Sequence, residues 1–301
     1  MLSWDDFLLH SKDRGLIPKN IEVAQWRNWY IASGFEKASS KYISENVSMG
    51  ISKDPDLALR KSIVEFMERQ VFSGSQAPQV IKHRRSDGTA AFPLLDQDSI
   101  KIAQHNAKCE AAERFLWANW WDNFDFKHNM LSHDLTSAYL GNDLDFLLDD
   151  FNLKNVQLIQ INDLKQDYLL IIFIALNKNG GYLTGGACEF TKFSVDGINI
   201  LFERAFGELL RHLLAYKRMT DYLQFEKLTF YEKRLFGFAS GKWSDLVLAR
   251  LSNIGIIDVP LTQIEVSSEL THVNNDLLYV HHTLFHNQPT FIGGSIDRLC
   301  I

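Results

Sequence analysis

The 301-residue chain has few cysteines, few prolines and no basic excess. Its three cysteines, Cys109, Cys188 and Cys300, are odd in number and far apart. That fits a reducing compartment and matches no metal-site spacing. No stretch is rich enough in proline, glycine or serine to read as a low-complexity linker. The formal charge is −6, with Lys and Arg scattered, so the basic face of a general nucleic-acid binder is missing. The one basic cluster, Lys82-His83-Arg84-Arg85, reads as a solvated loop. The longest apolar run, Leu169 to Leu176, falls far short of the ~20 residues a membrane helix needs. The first residues, Met1-Leu-Ser-Trp-Asp-Asp, have neither the basic nor the apolar region of a secretion signal. The expectation is a cytoplasmic protein with no membrane and no nucleic-acid partner. Its 46% hydrophobic content is enough for a sizeable core.

Against this plain background one pattern stands out. Ala107-Lys-Cys-Glu110-Ala-Ala-Glu113-Arg114-Phe-Leu-Trp117-Ala-Asn-Trp120-Trp121 consists of good helix formers with apolar residues on nearly every side, the mark of a largely buried helix. Glu110 and Glu113 nevertheless lie three apart and project from one face. Two carboxylates in a poorly solvated place repel each other and lose hydration, so they call for a proton, a cation or a positive ligand. The same word, Glu-x-x-Glu-Arg, occurs earlier as Glu65-Phe-Met-Glu68-Arg69, framed by Ile63, Val64, Phe66, Met67, Val71 and Phe72. A third helix, Ile200 to Leu214, is amphipathic and carries Glu208, Arg211 and His212. The bland alternative is that Glu65 with Arg69 and Glu110 with Arg114 are ordinary i, i+4 pairs, each worth roughly 0.2–0.5 kcal/mol. The repetition on two apolar helices argues for function.

Along the chain, residues 4–14 read as a short amphipathic helix stopped by Gly15 and Pro18, and an aromatic segment with a strand leading to Gly34 follows. Asp54-Pro55-Asp56 supplies a cap, a first-turn proline and an acid at the positive dipole end. Ser73 to Asp98 reads as a loop with one short strand at Pro78 to Lys82, and Ser99 opens the second glutamate helix. A short helical piece is expected at Phe146 to Phe151. Val156 to Asn162 and Tyr168 to Leu176 read as strands, the second covered on both faces. Asn177-Lys-Asn-Gly-Gly181 is the turn into the strand Tyr182 to Phe190. Helix is expected again over Tyr222 to Phe236 and over Trp243 to Leu251, the latter capped by Ser244 or Asp245. Strands at Thr262 to Val266 and Leu277 to Phe285 follow. His281, His282 and His286 suggest a metal, but neighbours on a strand face opposite ways, so at most two could converge. The tryptophan cluster reads as core.

Taken in order, three stretches resemble the YcaO family. They are Gly50 to Arg69; Ala107 to Trp121; and Gly185-Gly-Ala187 followed by Glu203-Arg204-Ala205-Phe-Gly-Glu208. The resemblance implies a mixed α+β, YcaO-like fold in which helices bearing Glu-x-x-Glu-Arg pack on sheets. It implies a single domain over 1–301, best matched at about 45–220. It implies ATP and Mg as cofactors, with Glu65, Glu68, Glu110 and Glu113 in the magnesium and phosphate shell. Arg69, Arg114, Glu208 and Arg211 stand at nucleotide-contacting or bracing positions, and no catalytic residue is assigned. It further implies activation of peptide backbone amides, giving azolines or thioamides, in the making of a ribosomal natural product of the bacteriocin kind. The expected partners are a precursor peptide and a separate leader-peptide-binding protein, with a homodimer possible. The sequence departs from the family at Lys61, Asp98, Ile102 and Arg211, in a short interval between the first two helices, and in ending Ser295 to Ile301 without a proline-rich tail. Those departures point to the alternative, a degenerate non-catalytic partner or scaffold that binds nucleotide or peptide.

Overall fold

The computed structural model describes residues 3–36, 47–73, 88–96, 98–162, 167–190, 195–221, 228–255, 266–274, 276–289 and 296–299. They form a mixed α+β fold, as expected, with every strand pair in the sheets antiparallel. Packing divides the chain into two compact units. One holds Met1–Ala111 and Glu265–Gln288, the other Ala112–Ile264 and Pro289–Ile301.

The first unit opens with helix α1, Trp4–Asp13, where Ser3 and Asp6 form a reciprocal capping box. The aromatic segment is a hairpin rather than one strand: β1, Asn20–Trp26, turns through Arg27 at φ 56° into β2, Trp29–Phe35. β1 escapes notice because it is largely exposed and lacks a clean apolar alternation. β3, Val47–Ser52, completes the sheet beside β2. Helix α2, Pro55–Ser73, starts as the sequence indicates: Asp54 Oδ1 accepts the N–H of Asp56 at 2.9 Å and of Leu57 at 3.3 Å. Its Ile63, Met67 and Val71 join Phe7, Ala91, Leu277, Leu278 and Val280 in one core.

The segment before the second glutamate helix contains a strand where a loop was expected. β4, Gly88–Pro93, pairs with β10, Leu278–Phe285, which pairs in turn with β9, Val266–Asn274. Its two alanines have little strand propensity, and its glycine and proline ends read as punctuation. The expected strand at Pro78 to Lys82, the basic cluster Lys82 to Arg85, the residues 262–265 and the chain end 300–301 lie outside the described residues. Helix α3, Ser99–Asp122, begins where Ser99 Oγ accepts the N–H of both Leu95 and Asp96 at 3.1 Å.

The second unit is built on a four-stranded sheet in the order β5, β6, β7, β8: Asn129–Met130, Leu153–Asn162, Tyr168–Asn177 and Tyr182–Phe190. β7 is buried on both faces, as its apolar run indicates. The turn after it is held by Asn177, whose Oδ1 accepts the N–H of Asn179 and Gly181 while its Nδ2 donates to Ala239 O at 2.6 Å. Helices α4, His133–Leu140, and α5, Asp143–Asp150, lie between β5 and β6, and α6, Val195–Asp221, follows the sheet. Two neighbouring glycines let both faces of β8 approach their cover. A Cβ at Gly185 would lie 1.9 Å from Leu209 N on α6, and one at Gly186 would lie 2.3 Å from the Trp117 ring. Trp117 and Trp120 are fully buried, the core role their setting suggests.

Helix does not run on to Phe236 as one piece. Residues 228–229 are non-helical, and Thr229 forms a capping box with Glu232 that starts α7, Phe230–Ala239; residues 222–227 lie outside the described set. α8, Ser244–Leu251, has Trp243 at its cap position with no side-chain cap. The Ser244 hydroxyl donates to Gly180 O instead, so tertiary contact takes the expected capping group away. No described helix is long and apolar enough to cross a membrane.

Gly185→Ala should lower stability by about 1–3 kcal/mol, because the added methyl meets backbone that cannot step aside. Thermal denaturation of this variant beside the parent measures it; an unchanged melting temperature would contradict the close approach of β8 to α6.

Candidate functional site

Each glutamate of α2 closes an open sheet edge. β3 is an edge strand, and the N–H of its Met49 donates to Glu65 Oε2 at 2.6 Å. β4 is the edge of the other sheet, and the N–H of its Ala91 donates to Glu68 Oε2 at 3.2 Å. A buried amide N–H without a partner costs about 1–3 kcal/mol, so carboxylates three residues apart on one helix stabilise two sheets at once. Two more glycines allow the approach. A Cβ on Gly50 would sit 1.9 Å from Ala58 O of α2, and one on Gly88 would sit 1.9 Å from Ala107 O of α3. Arg69 braces the first acid, its Nε donating to Glu65 Oε1 at 3.1 Å, so the expected i, i+4 pair is present.

The third acid arrives from α3. Glu110 Oε2 accepts the N–H of Thr89 at 2.5 Å and lies 3.4 Å from Thr89 Oγ1, while Thr89 Oγ1 is 3.0 Å from Glu68 Oε1. One threonine thus touches carboxylates from two helices. Burial and the nearby charge of Glu110 push the Glu68 carboxyl up to about 8, against a smaller opposing pull from the Thr89 hydroxyl. At neutral pH the pair therefore holds a proton or needs a positive charge. The donor set is all oxygen, which suits a hard divalent cation. His282 stands directly opposite Thr89 in the β4–β10 register, so its buried imidazole lies on the same sheet face.

The structure gathers Glu65, Glu68, Arg69 and Glu110 in the first unit. Glu113 and Arg114 follow on the next turn of α3, half-buried, and belong to the second unit. There Glu208 pairs with Arg211 at 3.4 Å on α6, and Arg204 pairs with Glu189 at 3.1 Å. His212 is structural: its Nδ1 lies 2.6 Å from Thr184 O, and burial holds its pKa down to about 3. His281 is engaged by Thr271 Oγ1 at 2.6 Å and faces Glu269 at 3.5 Å, so its imidazole serves a polar contact between β9 and β10, in keeping with the reading against a metal there. Thr89, and the backbone of Met49 and Ala91, went unnoticed in the sequence. A threonine among alanines in an apparent loop carries no local signal.

A search of solved structures finds a neighbour over nearly the whole chain. It is YcaO from Methanopyrus kandleri bound with AMPPCP and Mg2+, with TM-score 0.56 and 11% sequence identity, covering 97% of this chain and 92% of that one. The chain has the YcaO fold. No family model matches the sequence, and no curated protein does. At this identity the YcaO likeness resides in backbone topology, so the chemistry must be argued from the side chains of this chain.

The pH dependence follows from Glu68. Its folded pKa of about 8 lies above the unfolded value of 4.5, so between them the folded chain keeps a proton that the unfolded chain releases. Without divalent cations, stability should fall as pH rises from about 5 to about 8 and level off above. Glu68→Gln should remove that slope, and magnesium should flatten it in the parent. Melting temperatures across this range decide the matter; a parent without the slope would mean that the acid pair is not strained.

Proposed function

We propose that the chain uses ATP and magnesium to activate peptide backbone amides, with azoline-forming cyclodehydration or thioamidation as the outcome. The observation that carries this is the pairing of Glu68 and Glu110 on Thr89, with the Glu68 carboxyl shifted to about 8, within a YcaO fold. The solved neighbour of that fold was bound with AMPPCP and Mg2+, which supports a nucleotide and a cation as the ligands of this reading.

Glu65, Glu68 and Glu110 would hold magnesium, with Glu113 assigned to the same shell by family resemblance. The cation would neutralise charge on the phosphoryl group in transfer. Arg69 holds Glu65 in place through its Nε, which donates to Glu65 Oε1 at 3.1 Å. Arg114, Glu208 and Arg211 are assigned to nucleotide contact or bracing by resemblance. In the reaction a side-chain nucleophile of the substrate, or external sulfide, adds to the amide carbonyl carbon. The carbonyl oxygen then takes the γ-phosphoryl group of ATP, releasing ADP. Loss of phosphate leaves the C=N of an azoline or the C=S of a thioamide, the amide oxygen departing with the phosphate. A separate protein would present the precursor peptide by its leader, the enzyme would work in the cytoplasm, and a homodimer is compatible with this scheme.

One observation favours a second reading. Oxygens of Glu65, Glu68 and Glu110 already serve backbone N–H groups at sheet edges, a purely structural employment that a non-catalytic partner subunit would share. Two measurements separate the readings. Calorimetry with ATP and magnesium should detect binding to the parent and a loss of about tenfold or more in Glu68→Ala and Glu113→Ala; no binding to the parent removes the enzyme reading. Mass spectrometry of a candidate precursor incubated with its partner should then show the loss of one water per ring, whereas a scaffold leaves the mass unchanged.

A further inference from the structure

We infer that Thr89, which lies outside every sequence motif, is the positioning residue that sets Glu68 and Glu110 at the spacing a single divalent cation can bridge. This rests on the nucleotide-and-magnesium reading above and adds a residue to it. Helical periodicity relates acids on one helix, but it says nothing about the gap between Glu68 on α2 and Glu110 on α3. β4 fixes that gap. The N–H of Thr89 is given to Glu110 at 2.5 Å, and the hydroxyl lies 3.0 Å from Glu68 and 3.4 Å from Glu110. A hydroxyl carries one proton and donates to one acceptor at a time. With Glu110 already served by the amide, that proton goes to Glu68 at the shorter distance. A single residue therefore holds both acids, one by its backbone and one by its side chain.

The sheet edge itself does not require the hydroxyl. The N–H groups of residues 89 and 91 would be capped by Glu110 and Glu68 whatever side chain stood at 89. Valine has nearly the same volume and a higher strand propensity, and it leaves both backbone caps in place. What valine removes is the link from β4 to Glu68 Oε1, after which the two carboxylates are no longer tied to a common point. The hydroxyl thus acts on the acid pair rather than on the strand, and serine would preserve it.

The test is a magnesium titration at fixed ATP, followed by nucleotide binding, on the parent, Thr89→Val and Thr89→Ser, with the melting temperature of each. The half-saturating magnesium concentration should rise about tenfold in Thr89→Val and stay within about twofold of the parent in Thr89→Ser. A parent that binds no magnesium nucleotide overturns the cofactor reading and this inference with it. A parent that binds, with Thr89→Val within twofold of it, overturns this inference alone. A rise in Thr89→Val that serine does not rescue also overturns it, since the methyl would then be the active part. A role in packing alone would shift the melting temperature without moving the magnesium midpoint. Should Thr89→Val not fold, Thr89→Ala takes its place with the same contrast against serine expected.

Discussion

Carboxylates laid against open sheet edges are the contact on which the first unit depends. An edge strand exposes a row of N–H groups, and proteins must pair, cover or blunt it. Here helices cover it with acids: Glu65 takes Met49, Glu68 takes Ala91 and Glu110 takes Thr89. Because Glu65 and Glu68 stand three apart on α2, one helix closes the edges of two sheets. The spacing that reads as a motif is also a spacing set by construction.

That solution carries an electrostatic cost. Covering β4 from both α2 and α3 brings two acids to one threonine in a poorly hydrated place. The charge of Glu110 and burial together hold the Glu68 carboxyl far above the ordinary carboxylate range. The fold therefore stores a demand for positive charge at a defined point, which a proton bound by Glu68 meets near neutral pH. Under the proposed function the structural and functional roles of these glutamates would be continuous: the geometry that satisfies the strand also makes the oxygen cluster to which the cation is assigned. The second unit meets its own constraints by steric means, with Gly185 and Gly186 bringing α6 and Trp117 against the two faces of β8.

Much of the fold was legible wherever signals are local. Asp54-Pro55-Asp56 marks the start of α2 through groups that bond within three residues, and the apolar run of β7 and the Asn177 turn declare themselves without reference to distant chain. Legibility failed where partners are remote. β4 looks like a loop because its alanines and terminal glycine and proline say nothing of β10, almost two hundred residues away, which pairs with it. Ser244 looks like a cap until Gly180 claims its hydroxyl. The break before Thr229 is hidden because the sequence on both sides favours helix, whereas the capping box there fixes a new start.

The sequence by itself determined that acids would lie on largely apolar helices, since residue type and helical period are local properties that no packing can alter. It could therefore announce an electrostatic demand, and the YcaO resemblance with it. Only tertiary structure decided which acids meet. Glu68 and Glu110 come together because α2 and α3 both bring an acid to Thr89 of β4, while Glu208 on α6 finds Arg211 on its own helix. Distances between separate elements arise from packing, and packing depends on the whole chain rather than on any stretch of it.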